Sequence, residues 1–139
     1  VIADHAEAQI DVRIGRAADA EPLEQTMREI LARQVVPGTK AEMTGGITNP
    51  PMEKTEATAR LVAIAKNAAH ELGFEIEDVA TGGGSDGNYT AALGTPTLDG
   101  LGPIGGKGHN AAEEWMDPKS IVPRTALLAK LIVAIAENK

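Results

Sequence analysis

Two stretches of the sequence combine residue types that do chemistry. In the first, Thr81-Gly82-Gly83-Gly84-Ser85-Asp86-Gly87, three consecutive glycines precede a short helical pattern. Glycines leave backbone N–H groups unobstructed and a helix N-terminus adds partial positive charge, so such a turn suits a carboxylate or an oxyanion. The same spacing suits a tight turn in which Ser85 or Asp86 caps the helix, and both readings stand. The Gly-Lys-Ser/Thr of a phosphate-binding loop is missing, which argues against nucleotide binding. The second stretch is Gly105-Gly106-Lys107-Gly108-His109-Asn110, followed by Ala111-Ala112-Glu113-Glu114-Trp115. Core packing does not explain a histidine in a glycine-rich loop. Imidazole is a common zinc ligand, and a nearby carboxylate often orients it. One histidine does not make a zinc site, which takes three or four protein ligands. His70 reads as a surface residue on a helix, and His5 lies near one end. Metal binding by these residues alone is not expected.

The first stretch also satisfies G-x-S-x-G as Gly83-Gly84-Ser85-Asp86-Gly87, with Asp99 and His109 following in the order of a serine-hydrolase triad. That fold needs several strands before its nucleophile, and only two clear ones precede Ser85. Asp99 and His109 also follow Ser85 too closely to leave room for the intervening elements, so the pattern lacks its structural context.

The elements that must position these residues follow from periodicity. Ala8 to Ile14 alternates, with Ile10, Val12 and Ile14 on one face and Asp11 and Arg13 on the other, which predicts a half-buried strand. Asp19 is placed to cap a helix that carries Pro22 in its first turn and Leu23, Met27, Ile30 and Leu31 at helical spacing. Pro37-Gly38 stops it, and Thr39 to Thr44 reads as a second strand. Asn49-Pro50-Pro51 is a stiff connector, and the boundary is placed within residues 50–56, giving segments 1–52 and 53–139. Thr55 caps a long helix to about Leu72, with Gly73 at the position that favours a left-handed residue. Short strands are expected over Phe74 to Ala80 and Thr95 to Leu101, with a brief helix through Leu93 between them. A closing helix runs from about Ser120 to Glu137. Helices alternating with short strands indicate an α/β layer.

Composition narrows the function classes. Thirteen Lys and Arg against twenty Asp and Glu give a net charge of −7, which argues against a nucleic-acid surface. A 42% apolar, 24% charged chain of 139 residues has the balance of a folded domain. No apolar run reaches the roughly 18 to 20 residues needed to span a bilayer. With no cysteine, disulfides, thiol nucleophiles and cysteine zinc sites are excluded, while the compartment stays open. Alanine occurs 23 times and aromatics only as Phe74, Tyr89 and Trp115, so close helix packing is expected in place of bulky core residues. The chain opens on Val1-Ile2 without Met and without a signal-peptide pattern, which reads as a fragment.

The I-D-V-R-I strand and its helix, T-G-G-G-S-D-G-N-Y, G-H-N-A-A-E-E-W-M-D and the alanine-rich closing helix come in this order over nearly the whole chain. Together they resemble the glutamate carboxypeptidase family, the co-catalytic zinc peptidases related to acetylornithine deacetylase and aminoacylase. The resemblance implies a C-terminal portion of such an enzyme. Residues 1–52 would be the second half of a small α+β, ferredoxin-like lid or dimerisation domain. Residues 53–139 would be the C-terminal part of the zinc-binding catalytic domain. By the same match His109 is the last ligand of a two-zinc centre, with Glu114 in the place of a carboxylate just after it. Gly83, Gly84 and Ser85 would line the substrate pocket, Asp86 would be structural, and Arg13 would help bind substrate. The family's H-x-D motif, bridging Asp, further carboxylate ligand and catalytic Glu have no match here. The arginine near the lid-to-catalytic junction is replaced by Thr44-Gly45-Gly46-Ile47-Thr48-Asn49, which leaves C-terminal glutamate specificity unsupported.

The expected function is thus part of a zinc-dependent hydrolase that cleaves an amide beside a free carboxylate, in a small peptide or an acyl-amino acid. It would be inactive without its N-terminal half and would form a homodimer through the lid. The alternatives are a non-catalytic folded fragment or dimerisation module and, further off, a serine hydrolase with Ser85 as nucleophile.

Overall fold

The structure, a computed structural model, describes residues 3–33 and 35–137; the opening Val1-Ile2 lies outside them. The chain divides into two units, residues 1–53 and 54–139.

In the first unit a short 3-10 turn, Ala17–Asp19, leads into helix α1, Ala20–Ala32. Asp19 occupies the N-cap position, but its side chain makes no capping bond. Arg16 takes that carboxylate instead, through Nε at 3.0 Å and a terminal nitrogen at 2.6 Å. The guanidinium holds the Asp19 carboxyl below the usual carboxylate range. The helix ends at Ala32, where Arg33 turns extended, before Pro37-Gly38 is reached. Gly38, at φ +81°, then closes a turn in which the Thr39 amide and hydroxyl both donate to the Val36 carbonyl. The Ala17 amide, at the start of the 3-10 turn, donates to the Glu53 carboxylate at the end of the unit, at 2.8 Å. None of the unit's described residues is buried.

The second unit owes its core to helices α2, Glu56–Glu71, and α4, Ile121–Glu137, which pack on each other. Ala65, Ala68 and Ala69 of α2 and Leu127 and Leu131 of α4 are buried. Phe74, Ile76 and Leu101 pack against the seam. With methyl groups on one side, two helices approach closely, and this is how so few aromatics suffice. Thr55 caps α2 by accepting from the Thr58 amide at 3.1 Å. At the other end Gly73 sits at φ +84°, its amide donating to the His70 carbonyl and the Phe74 amide to the Ala69 carbonyl. That pair of bonds is the Schellman arrangement, and it turns Phe74 back onto the helix it terminates. Lys130 of α4 forms an ion pair with Glu71 at the end of α2.

Helix α3, Gly87–Ala92, is short. The one ladder among the described residues is antiparallel: strand β1, Gly105–Gly106, pairs with strand β2, Trp115–Met116, Gly105 facing Met116 and Gly106 facing Trp115. A 3-10 turn, Pro118–Ser120, leads into α4 and is capped by Asp117, which accepts from the Lys119 amide at 3.0 Å.

The architecture is mixed α/β, with the four helices close to their expected places. The four expected strands need correction. Residues 8–14, 39–44, 74–80 and 95–101 form no ladder among the described residues. Alternation fixes which face is apolar, but a strand exists only where a neighbour accepts its backbone hydrogen bonds. The half-buried Phe74 and Ile76 show the predicted alternation. Ile10, 71% exposed, shows an apolar face with nothing laid on it in its own unit.

Candidate functional site

The second glycine-rich stretch folds as a hairpin whose arms are β1 and β2 and whose tip is residues 107–114. Its base is welded to the start of α4. The Ser120 hydroxyl, 4% exposed, accepts from the Ile104 amide at 2.8 Å and donates to the Asp117 carbonyl at 2.6 Å. The Asp117 amide donates back to the Ile104 carbonyl at 2.8 Å. Arg124, one turn into α4, donates to the carbonyls of Gly100 and Gly102 and pins the approach to β1.

Both β1 glycines answer a close approach. A Cβ at Gly105 would stand 2.7 Å from the Trp115 carbonyl oxygen, and one at Gly106 2.8 Å from the Trp115 indole nitrogen. The tip is then organised around Asn110. Its amide donates to the Lys107 carbonyl at 3.1 Å, and its own carbonyl accepts from the amides of Glu113 at 3.0 Å and Glu114 at 2.8 Å. Its side chain donates to the Glu113 carboxylate at 3.1 Å and accepts from the Ala112 amide at 3.2 Å. Lys107 reaches the same Glu113 oxygen at 3.1 Å.

His109 stands at the centre of this tip, exposed, at φ +69°. Lys107, at φ +55°, is the other non-glycine residue in that region among the described residues. Histidine tolerates the left-handed region better than most side chains, yet holding it there costs about 1 kcal/mol or more. Lys107, Asn110 and Glu113 satisfy one another around His109, while its ring has no hydrogen-bond partner among the described residues. Glu114 shares the tip, with its Oε1 near Gly108.

The first stretch is built differently. Ser85 is half-buried, and its hydroxyl accepts from the Gly87 amide at 3.0 Å at the start of α3; Asp86 makes no capping bond. A Cβ at Gly82 or Gly84 would meet nothing within 4 Å, and one at Gly83 only the Thr81 hydroxyl at 3.7 Å. Unlike Gly105 and Gly106, these glycines leave open space above the backbone. No hydrogen bond or ion pair joins Ser85 or Asp86 to His109 or Glu114 among the described residues. Arg13, in the other unit, lies on the extended segment with Asp11, which it holds through Nε at 3.1 Å and a terminal nitrogen at 2.9 Å.

Sequence reasoning placed His109 and Glu114 on one loop and missed what shapes it: Asn110, Ser120, Arg124 and the fit of Trp115 to Gly106. Asp117-Pro118 before the closing helix was a readable cap signal, and a pair of adjacent glycines facing a tryptophan was a readable hairpin.

The family model for peptidase family M20/M25/M40 matches residues 3–134. The chain belongs to this family. The resemblance carried by T-G-G-G-S-D-G-N-Y and G-H-N-A-A-E-E-W is thereby borne out at the level of the family. Carboxypeptidase G2 from Pseudomonas sp. (strain RS-16) is 29% identical over 143 aligned residues, which cover 100% of this chain and 34% of that protein. The M20 chain here therefore spans about a third of the length of that relative. No solved structure matches it.

Proposed function

We propose that these residues form part of a zinc-dependent hydrolase of carboxypeptidase or deacylase type, acting on an amide bond beside a free carboxylate. The observation that carries the reading is the state of His109, an exposed imidazole without a hydrogen-bond partner among the described residues, on a loop where Lys107, Asn110 and Glu113 bond one another. Membership of an M20 family and similarity to a carboxypeptidase support it.

The donor set fits one position of a metal site. Among the described residues no group of three or more His, Cys, Asp or Glu side chains is placed to hold a metal. His109 would therefore supply one nitrogen ligand, with the others and the general base coming from chain outside these residues. When bound, zinc polarises a carbonyl and lowers the pKa of a water molecule. Glu114, on the same tip, would hold the imidazole's surroundings negative. Gly83, Gly84 and Ser85 would line the substrate pocket, the glycine amides meeting a substrate carboxylate or a developing oxyanion, with Asp86 in a structural place. Arg13 would reach for the substrate carboxylate from a lid formed by residues 1–52, with 53–139 as the catalytic part. Segment 8–14, which forms no ladder among the described residues and exposes Ile10 and Val12, also favours strand pairing between two such lids.

The test is zinc content. The complete protein is expected to bind zinc stoichiometrically, and H109A to lose it with an unchanged far-ultraviolet dichroism spectrum. Full zinc retention in H109A would sink the reading.

A further inference from the structure

We propose that Asn110 is the positioning residue for His109, an inference that rests on the reading of His109 as a metal ligand. Five hydrogen bonds converge on this one residue: from its amide to Lys107, to its carbonyl from Glu113 and Glu114, from its side chain to Glu113, and to its side chain from Ala112. The residue before it is held in the left-handed region at φ +69°. Such a backbone setting persists only where its surroundings over-determine it. The Asn110 amide, bonded to Lys107 across His109, spans the strained residue directly, and the carboxamide fixes the return of the loop through Ala112 and Glu113. Glu113 is the second part of the device. Its carboxylate gathers both Asn110 and Lys107, and that carboxylate is thereby taken up inside the loop while Glu114 is not.

The separation of roles follows from chemistry. Asparagine supplies a donor and an acceptor on one rigid plane, so it satisfies Glu113 and the Ala112 amide at once. Alanine would keep the main-chain bonds and lose both side-chain ones. His109 would keep its imidazole but lose part of the loop framework that places its backbone, and metal affinity depends on that placement. Loss of a group that orients a metal-binding histidine typically weakens the metal by about tenfold to a hundredfold.

The experiment is a zinc titration of the complete protein against a chromophoric chelator, with thermal melting recorded for each variant. H109A is expected to weaken zinc strongly. N110A is expected to raise the zinc dissociation constant about tenfold with saturation stoichiometry kept. In the H109A background the same substitution is expected to change nothing further, because it acts through that imidazole. E113A, which removes the acceptor shared by the Asn110 carboxamide and Lys107, is expected to weaken zinc in the same direction as N110A. If H109A weakens zinc while N110A does not, or if N110A has the same effect in both backgrounds, the role of Asn110 is overturned and the metal reading stands. If E113A leaves zinc affinity unchanged, the Asn110–Glu113 bond is not the agent. If H109A itself leaves zinc affinity unchanged, the metal reading falls and this inference with it.

Discussion

The indole of Trp115 occupies the space that a side chain at Gly106 would need: a Cβ there would lie 2.8 Å from the indole nitrogen. Glycine at 106 is therefore a packing requirement, since no positive φ is involved. Gly106→Ala is expected to force the indole off β1, destabilising the fold by about 1–3 kcal/mol as an overpacked contact does. Trp115 is the only tryptophan, so its fluorescence reports the site alone. An emission spectrum identical to wild type, with an unshifted melting temperature, would show that the contact is dispensable.

Ser120 is the buried polar group that joins hairpin to helix. In Ser120→Ala the Ile104 amide loses its acceptor and the hairpin base its link to α4. A buried donor left unsatisfied costs about 1–3 kcal/mol. Ser120→Thr keeps the hydroxyl and should lose less. Urea unfolding of both variants checks the order, and an alanine variant as stable as wild type refutes it.

Two ion pairs at the end of α2 set opposite pH dependences. Glu75 hydrogen-bonds His70 at 2.8 Å and raises its pKa above the usual histidine value. That contribution to stability is complete below the unfolded histidine value, about 6.5, and is lost as pH rises through the folded one. Lys130 bonds the Glu71 carboxylate and lowers its pKa. That contribution is complete above the unfolded glutamate value, about 4.3, and is lost as pH falls through the folded one. Both are present together between roughly pH 4.3 and 6.5. Both pairs are exposed, so the effects are small. Glu75→Gln is expected to bring the His70 titration, followed by proton NMR, back toward the ordinary histidine value. An unshifted midpoint would mean that Glu75 is not the cause.

Arg13 already has a partner in Asp11, at 2.9 Å. If Arg13 binds the substrate carboxylate as proposed, Arg13→Lys in the complete protein is expected to raise KM about tenfold to a hundredfold with kcat kept, since a bidentate charge-assisted contact is worth roughly 1.5–3 kcal/mol. Unchanged steady-state kinetics would leave Arg13 as half of a surface pair.

Helices were legible because each is specified by its own sequence: Thr55 and Gly73 bracket α2, and Pro22 falls in the first turn of α1. Strands were legible only as faces. Ile10-Asp11-Val12-Arg13 states which side is apolar, but the partner that would make it a strand is not written in those residues. His109 stood out because nothing structural explains a histidine among glycines. Asn110, its neighbour, did not stand out, because a hub of loop hydrogen bonds has no spacing signature and depends on the conformation it creates.

The alanines of α2 have a consequence far along the chain. Ala68 and Ala69, 3% and 0% exposed, pack with Leu127 in the buried seam, so only methyl groups line the α2 side of that contact. A bulkier residue there has no space to fill and must push α4 aside. Because Arg124 and Ser120 couple the hairpin to the same end of α4, such a push acts as a lever on the loop that carries His109. Enlarging residue 68 or 69 is thus expected to displace the imidazole without touching it.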